Sequence, residues 1–247
     1  MNEYCIIFPK YKNDIFIHFW KKFELMAQKF KNISIQNEDE SIILCCSIKK
    51  NNKTLLENIK KALAESLVLN YKYKFMADNL ILPAGYEQFK DALCKSLAVF
   101  DRTTDIVEVL SLLEIGRSLN IDSFYVFKLA SLRMRWKEIT DLFVENMSNM
   151  IYSNSFTELI RYLIMTTESC GEDVFVYNFN NTIYLRNKDG GNLADPIEIR
   201  EDYLPAVISE LIIIAPTNIY LKYDLSTKNE LTAIILDLFA EKVVVNT

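Results

Sequence analysis

The chain has 247 residues, a formal net charge of −5 at pH 7 and a hydrophobic content of 50%. This length fits one large domain or two small ones, and the hydrophobic content suffices for a packed core without disulfides or metals. A general duplex-binding protein needs a surplus of Lys and Arg to neutralise phosphates. We therefore do not expect nucleic acid as a partner.

The cysteine content is typical of a reducing compartment. There are 5 cysteines and no CxxC motif, and an odd number favours free thiols over a disulfide framework. The first residues, MNEYCIIFPKYKND, lack the basic start, long apolar stretch and cleavage site of a signal peptide. The sequence predicts a cytoplasmic location.

The most apolar stretch is SELIIIAPTNIYLKYD, residues 209–224. Its uncharged part lies between Glu210 and Lys222 and is interrupted by Pro216. A membrane-spanning helix needs about 20 consecutive apolar residues. No transmembrane segment is predicted, and the stretch is instead interpreted as the end of a helix, a proline stop and a buried strand.

The first region, 1–82, is predicted to be β-α-β-α. Strands are expected at 4–8 and 41–48, which are short apolar runs. The first helix has an apolar side with a spacing close to four residues: Ile15, Phe19, Phe23, Met26, Ala27 and Phe30. The second helix has a similar side: Leu55, Leu56, Ile59, Leu63, Leu67 and Phe75.

The second region, 83–170, shows only helical periodicity. The predicted helices are 85–101, 103–115, 121–152 and 154–169. The third is long for a globular protein, so a kink or break is expected near 146–149.

The third region, 171–247, is predicted to be a mixed β/α segment. Alternating residues on both sides of Asn180-Asn181 indicate a hairpin. A helix at 201–214, a strand at 219–223, a helix capped by Thr227 or Asn229 and a terminal strand at 243–245 then follow. If its strands share a sheet, the last part is a parallel crossover. The predicted fold class is α+β, in which the three regions could also form one compact unit.

Two features could carry chemistry but have simpler interpretations. His18 is the only histidine, and without partner residues its spacing predicts no metal site or catalytic triad. Cys5, Cys45 and Cys46 lie on the two N-terminal strands and could form a thiolate cluster. Adjacent strand residues point to opposite faces, so Cys45 and Cys46 cannot both face Cys5, and core packing is the preferred interpretation.

The segment KLASLRMRWKEI, residues 128–139, concentrates basic side chains beside Trp136. Arg133 and Arg135 could contact phosphate, a membrane surface or an acidic partner. The simpler interpretation is a solvated helix face with acidic neighbours. The sequence contains none of the GxGxxG, GxxxxGK[ST], HExxH or GxSxG motifs, so no catalytic residue, cofactor site or metal site is predicted.

Four segments together resemble a known family. They are FYVFKL (124–129), FTELIRYLI (156–164), VISELIIIAPTNIYL (207–221) and NELTAIILDLFAEKV (229–243). Their succession resembles the YtxC-like sporulation protein family of endospore-forming bacteria. Lys128 and Lys222 stand where that family usually has an arginine and a histidine. The resemblance implies a process, sporulation, and carries over no catalytic residues.

Within the matching segments, Arg161 and Tyr162 are the most informative residues. A partly buried arginine needs a carboxylate or carbonyl partner, and Glu158 is a local candidate at i−3. These residues could form a structural ion pair or contact a partner protein.

The sequence thus predicts a sporulation-associated protein that acts through contacts with a protein partner whose identity it does not give. The alternative is an enzyme or small-molecule sensor with an unrecognised pocket. The sequence leaves the oligomeric state open.

Overall fold

The structure is a computed structural model that describes residues 2–27, 33–48, 53–82, 87, 90–152, 156–169, 171–201, 203–222 and 230–244. The helices are α1 Asn13–Ala27, α2 Lys53–Asn79, α3 Lys90–Val99, α4 Arg102–Leu112, α5 Ile121–Lys128, α6 Ala130–Tyr152, α7 Phe156–Thr166, α8 Tyr203–Ile214 and α9 Glu230–Leu238. The strands are β1 Asn2–Pro9, β2 Ile33–Asn37, β3 Ser41–Ile48, β4 Ser118–Asn120, β5 Asp173–Phe179, β6 Thr182–Arg186, β7 Ile197–Glu198, β8 Asn218–Leu221 and β9 Val243–Val244.

The chain forms two compact units. Unit 1 consists of Met1–Phe75 and Arg102–Ile139, and unit 2 consists of Met76–Asp101 and Thr140–Thr247. Each unit has its own sheet, which confirms the predicted α+β class. The division cuts across the three regions predicted from the sequence, 1–82, 83–170 and 171–247.

The sheet of unit 1 has the strand order β2-β3-β1-β4. β1 pairs antiparallel with β3 and parallel with β4. Strand alternation places Ile6 and Phe8 on the buried face, and the ring of Phe8 lies 5.4 Å from that of Phe19 on α1. The predicted apolar side of α1 is therefore confirmed for Ile15, Phe19, Phe23 and Ala27, which are buried.

Two strands of this sheet were not predicted. β2 is an edge strand whose residues are mostly exposed, so its sequence lacks the alternation of a half-buried strand. β4 has three residues and one buried side chain, Leu119. Such a short segment shows no alternation from which a strand could be predicted. The prediction that 83–170 contains only helices is wrong at β4.

The central helices differ in their bounds from the prediction. The predicted helix 121–152 is two helices, α5 and α6, which are separated at the buried residue Leu129. The backbone of α6 is helical through 146–149, where a kink or break was expected. Several predicted features lie outside the described residues: Met26's side chain, Phe30, the starts of the helices at 85 and 154, Cys170, Tyr223, the caps Thr227 and Asn229, and Val245.

The sheet of unit 2 has the order β7-β6-β5-β8-β9. The predicted hairpin is confirmed, since β5 pairs antiparallel with β6 across Asn180 and Asn181, whose φ angles are 50° and 60°. Two consecutive positive φ angles are the requirement of a type I′ turn, and Asn tolerates them. The predicted parallel pairing at the end of the chain is also confirmed, because β8 and β9 are parallel neighbours.

The apolar stretch 209–224 is the end of α8 followed by β8, as predicted. Ala215 has a φ of 49° and donates its N–H to the carbonyl of Leu211, which ends the helix before Pro216. Ile219 on β8 is fully buried. Within the described part of the chain, no helix is both long and apolar enough to cross a membrane.

Candidate functional site

Unit 2 contains a groove between four helices. It encloses about 390 Å³ and is bounded by α3, α7, α8 and α9. Its lining is mostly apolar: Ala92, Ile160, Leu204, Pro205, Ile208, Ile234 and Leu238. The polar lining residues are Thr157, Glu230 and Asp237. The groove therefore combines an apolar floor with two carboxylates, both supplied by α9.

Arg161 forms an ion pair with Asp237. Its NH2 atom lies 2.5 Å from Oδ1 of Asp237, and its Nε atom donates to the backbone carbonyl of Asp237 at 2.8 Å. The predicted local partner was Glu158, whereas the observed partner lies 76 residues away in the sequence. The carbonyl belongs to the last turn of α9, where helix carbonyls lack partners within the helix. Arg161 thus connects α7 to the C-terminal end of α9 and neutralises one of the groove's carboxylates.

Tyr162 and Glu158 are exposed on α7. The side chain of Tyr162 is 62% exposed, and its backbone carbonyl accepts a hydrogen bond from the hydroxyl of Thr166. Neither Tyr162 nor Glu158 lines the groove. Their predicted role as partner contacts stays a prediction.

Asp122, in the first turn of α5, is the centre of a polar cluster in unit 1. Its carboxylate accepts hydrogen bonds from Lys12 Nζ at 2.6 Å, from the Tyr71 hydroxyl at 3.2 Å and from the Tyr11 hydroxyl. Burial alone would raise the pKa of Asp122, but the hydrogen bonds from Lys12, Tyr11 and Tyr71 lower it on balance. The hydrogen bond to Asp122 raises the pKa of Tyr11 to about 12. Three donors therefore stabilise the ionised form of Asp122.

Aromatic rings surround the lysine of this cluster. Lys12 Nζ lies 4.5 Å from the ring centroid of Tyr71, which stacks on Tyr125 at 3.8 Å. Arg133 lies over the other ring, with Cζ 5.1 Å from the centroid of Tyr125, and donates from NH2 to the carbonyl of Val126 at 2.7 Å. Arg133 is thus engaged within unit 1.

Asp105, in the first turn of α4, forms a second and more deeply buried cluster. It and Lys72 are each 0% exposed, and Lys72 Nζ lies 2.8 Å from its Oδ2 atom. Arg135 NH2 donates to Oδ1 at 2.5 Å, and the indole N–H of Trp136 donates to Oδ2 at 3.0 Å. The NH1 atom of Arg135 also pairs with Glu108 at 2.8 Å. The segment 128–139 is therefore not a simple solvated face, because two of its side chains hold a buried carboxylate.

The other candidates from the sequence were His18 and possible metal ligands. His18 is half-buried, and burial, followed by the charge of Lys22, lowers its pKa to about 4. No group of three or more His, Cys, Asp or Glu side chains that could hold a metal ion occurs among the residues placed by the structure.

Sequence reasoning missed Asp105, Lys72, Asp122 and Asp237. Each of these residues lies far in the sequence from its partners. In addition, Asp105 and Asp122 lie in the first turn of a helix, where the helix dipole alone is enough to explain a carboxylate. The only available signal was Lys72, a lysine within an otherwise apolar helical pattern. No protein-family model, curated protein or solved structure matches the chain.

Proposed function

We propose that the protein acts by binding another protein, and that the groove of unit 2 takes an amphipathic helix of that partner. The observation that carries the proposal is the open apolar floor of about 390 Å³ with carboxylates at one side. An amphipathic helix binds such a surface by inserting side chains at i, i+3 or i+4, and i+7. The carboxylate of Glu230 favours a segment with Lys or Arg next to its apolar face.

The polar groups of the groove support binding more than catalysis. A catalytic pocket needs polar groups that converge on a substrate and are free to transfer protons. Asp237 is held by Arg161 through two hydrogen bonds, and its backbone carbonyl is one of the acceptors. This arrangement fixes the carboxylate as a charge at the edge of the groove.

The experiment is a binding titration with the protein that co-purifies with this chain from its own cells, using the unmodified chain and two variants of α9. Ile234→Glu places a charge in the lining, whereas Leu236→Glu places one at an exposed position of the same helix that does not line the groove. We expect Ile234→Glu to weaken binding by about tenfold or more, equivalent to about 1.4 kcal/mol. Leu236→Glu should bind like the unmodified protein. Equal affinities for all three proteins, each shown to be folded by circular dichroism, would reject the groove as the binding site.

We also propose that the protein is cytoplasmic and acts in sporulation. The support is the resemblance of segments 124–129, 156–164, 207–221 and 229–243 to the YtxC-like sporulation protein family. The test is deletion of the gene in its own organism, followed by counting heat-resistant spores. A loss of spores that is restored by the wild-type gene would support the proposal. Unchanged sporulation would reject it, as would a host that forms no endospores.

A second candidate function is a small-molecule sensor. The volume of the groove falls within the range of about 300–1,000 Å³ that is usual for pockets that bind small ligands. Such a ligand would be mainly apolar, since Thr157, Glu230 and Asp237 are the polar lining residues. A small molecule retained by the protein after gentle isolation, and lost in Ile234→Glu but not in Leu236→Glu, would favour this function.

A further inference from the structure

Cys5 and Cys45 are direct neighbours across two antiparallel strands of unit 1. The register of β1 and β3 pairs Cys5 with Cys45. The N–H of Cys5 donates to the carbonyl of Arg117, on the side of β1 that faces β4. A residue in an antiparallel strand points its N–H and C=O to the same side, so Cys5 and Cys45 form a pair without backbone hydrogen bonds between them.

This type of pair has the backbone separation that a disulfide requires. The Cα atoms of such a pair lie about 4.5 Å apart. Disulfides usually join residues whose Cα atoms lie about 4.4–6.8 Å apart. The Sγ atoms of Cys5 and Cys45 already contact each other at 2.9 Å. The two side chains therefore need little movement to become bonded.

The pair lies on the less buried face of the sheet. Cys46 points to the opposite face and is buried in the core, whereas Cys5 and Cys45 are half-buried. Across the sheet, Cys45 is paired with Ser34 of β2, and Cys5 is paired with Ser118 of β4. Both serines are exposed and small, so the neighbours in this row leave the sulfurs accessible to a small reagent.

We propose that Cys5 and Cys45 are a redox modification site at which a low-molecular-weight disulfide oxidises the two thiols to a cross-strand disulfide. One protein thiolate attacks a sulfur of the small disulfide, forming a mixed disulfide and releasing one small thiol. The second protein thiolate attacks the protein sulfur of the mixed disulfide and releases the second small thiol. Two electrons and two protons pass from the protein to the small molecule, which balances the reaction.

Cys45 is mostly protonated near neutral pH. The hydrogen bond with Cys5 is the largest influence on Cys45, followed by burial and the nearby Cys5, Cys46 and Glu3, and together they raise its pKa to about 11. The thiolate is the reactive form, so the small thiolate fraction of Cys45 makes its oxidation slow at neutral pH.

The test is incubation of the full-length protein with oxidised glutathione, followed by thiol counting and non-reducing peptide mapping. The chain has 5 cysteines, and the number of free thiols should fall to three when one disulfide forms. The map should show the peptides of β1 and β3 joined through Cys5 and Cys45, and dithiothreitol should reverse the link. Cys45→Ser should prevent it, whereas Cys46→Ala should not.

Folded protein in which glutathione stays attached to single cysteines, or in which the link joins another pair, would overturn the proposal. If a variant does not fold, the peptide map of the unmodified chain decides the question alone. A map in which Cys5 and Cys45 remain reduced under excess oxidant also rejects the site.

Discussion

At the scale of single residues, Asp105 of unit 1 is a buried charge with three side-chain partners. Lys72, Arg135 and Trp136 donate to its two oxygens, and both Asp105 and Lys72 are removed from solvent. A buried ion pair gives little net stability compared with apolar residues, but removal of one partner leaves an uncompensated buried charge. The cluster should therefore respond strongly to a single substitution.

We expect Asp105→Asn to lower the free energy of unfolding by about 3–5 kcal/mol, because the ammonium group of Lys72 would lose its counter-charge. Urea unfolding followed by circular dichroism measures this change. Glu138→Gln is the matched control, since Glu138 is exposed in the same unit and its neutralisation should change stability by less than about 0.5 kcal/mol. A loss of under about 1 kcal/mol in Asp105→Asn would contradict the burial of the pair.

A second residue-scale prediction concerns His18 and pH. Its folded pKa of about 4 lies below the ordinary value of 6.5, so the unfolded chain binds a proton that the folded chain does not. Stability should therefore fall as pH decreases from about 6.5 to about 4, by roughly 1–3 kcal/mol for this half-buried group. In His18→Phe that part of the pH dependence should be missing. Identical slopes for both proteins over this range would contradict a buried neutral imidazole.

The role of a residue could be predicted from the sequence when its partners lie close to it along the chain. The helix periodicity identified Phe19 and Phe23 as core because their neighbours at i±4 are also apolar. The partner of Arg161 could not be found in this way, since Asp237 lies 76 positions away and Glu158 lay within one helical turn. Distant ion pairs follow from the packing of helices, which local patterns do not specify.

At the scale of elements, Arg161 is the connection between α7 and the last turn of α9. The pair is exposed, with 39% of the Arg161 side chain and 54% of the Asp237 side chain accessible. Water and salt screen such a pair, so its contribution to stability is small. We infer that it helps to position α9, which supplies Glu230, Ile234 and Asp237 to the groove.

We expect Arg161→Ala to lower the free energy of unfolding by no more than about 1 kcal/mol. The free energy of partner binding should fall by more than the free energy of unfolding, because α9 loses its hydrogen bonds to Arg161 at its C-terminal end. Thermal unfolding and a binding titration measure the two effects, and Arg161→Lys, which keeps the charge, is the control. A larger loss of unfolding free energy than of binding free energy in Arg161→Ala would contradict a role of Arg161 in positioning α9.

The elements themselves were predictable where the local pattern was long. The hairpin around Asn180-Asn181 has alternation on both strands and a turn that needs positive φ, so the sequence was sufficient. β4 has one buried residue and is held by pairing with β1, which lies more than 100 positions earlier. The sequence around Leu129, where α5 and α6 are separated, contains no Gly or Pro, so it carries no local signal for a helix end.

At the scale of the whole molecule, the α+β class followed from the order of periodic segments, and the division into two units did not. The helices α2 and α6 each contribute to both units. A sequence pattern marks the bounds of a helix, and it gives no sign that different parts of the helix pack in different cores. The candidate groove could not be predicted from local patterns either, because its lining comes from four helices that are separated in the sequence.

The charge of the whole molecule also bears on function. The net charge is −5, and Arg133 and Arg135 have partners within unit 1. We expect Arg133→Glu with Arg135→Glu to reduce stability, because two sets of internal contacts are lost and Asp105 meets a new negative charge. Urea unfolding measures that loss. Tight binding of the unmodified protein to duplex DNA that weakens steeply with salt would contradict this account.

We propose that the groove of unit 2 binds a partner protein. Native mass spectrometry of the protein isolated gently from its own cells, in unmodified form and as Ile234→Glu, tests it most directly. We predict that the unmodified protein retains a protein of defined mass and that the variant does not. A retained small molecule or metal in place of a protein, or an equal amount of partner on both forms, would contradict the claim.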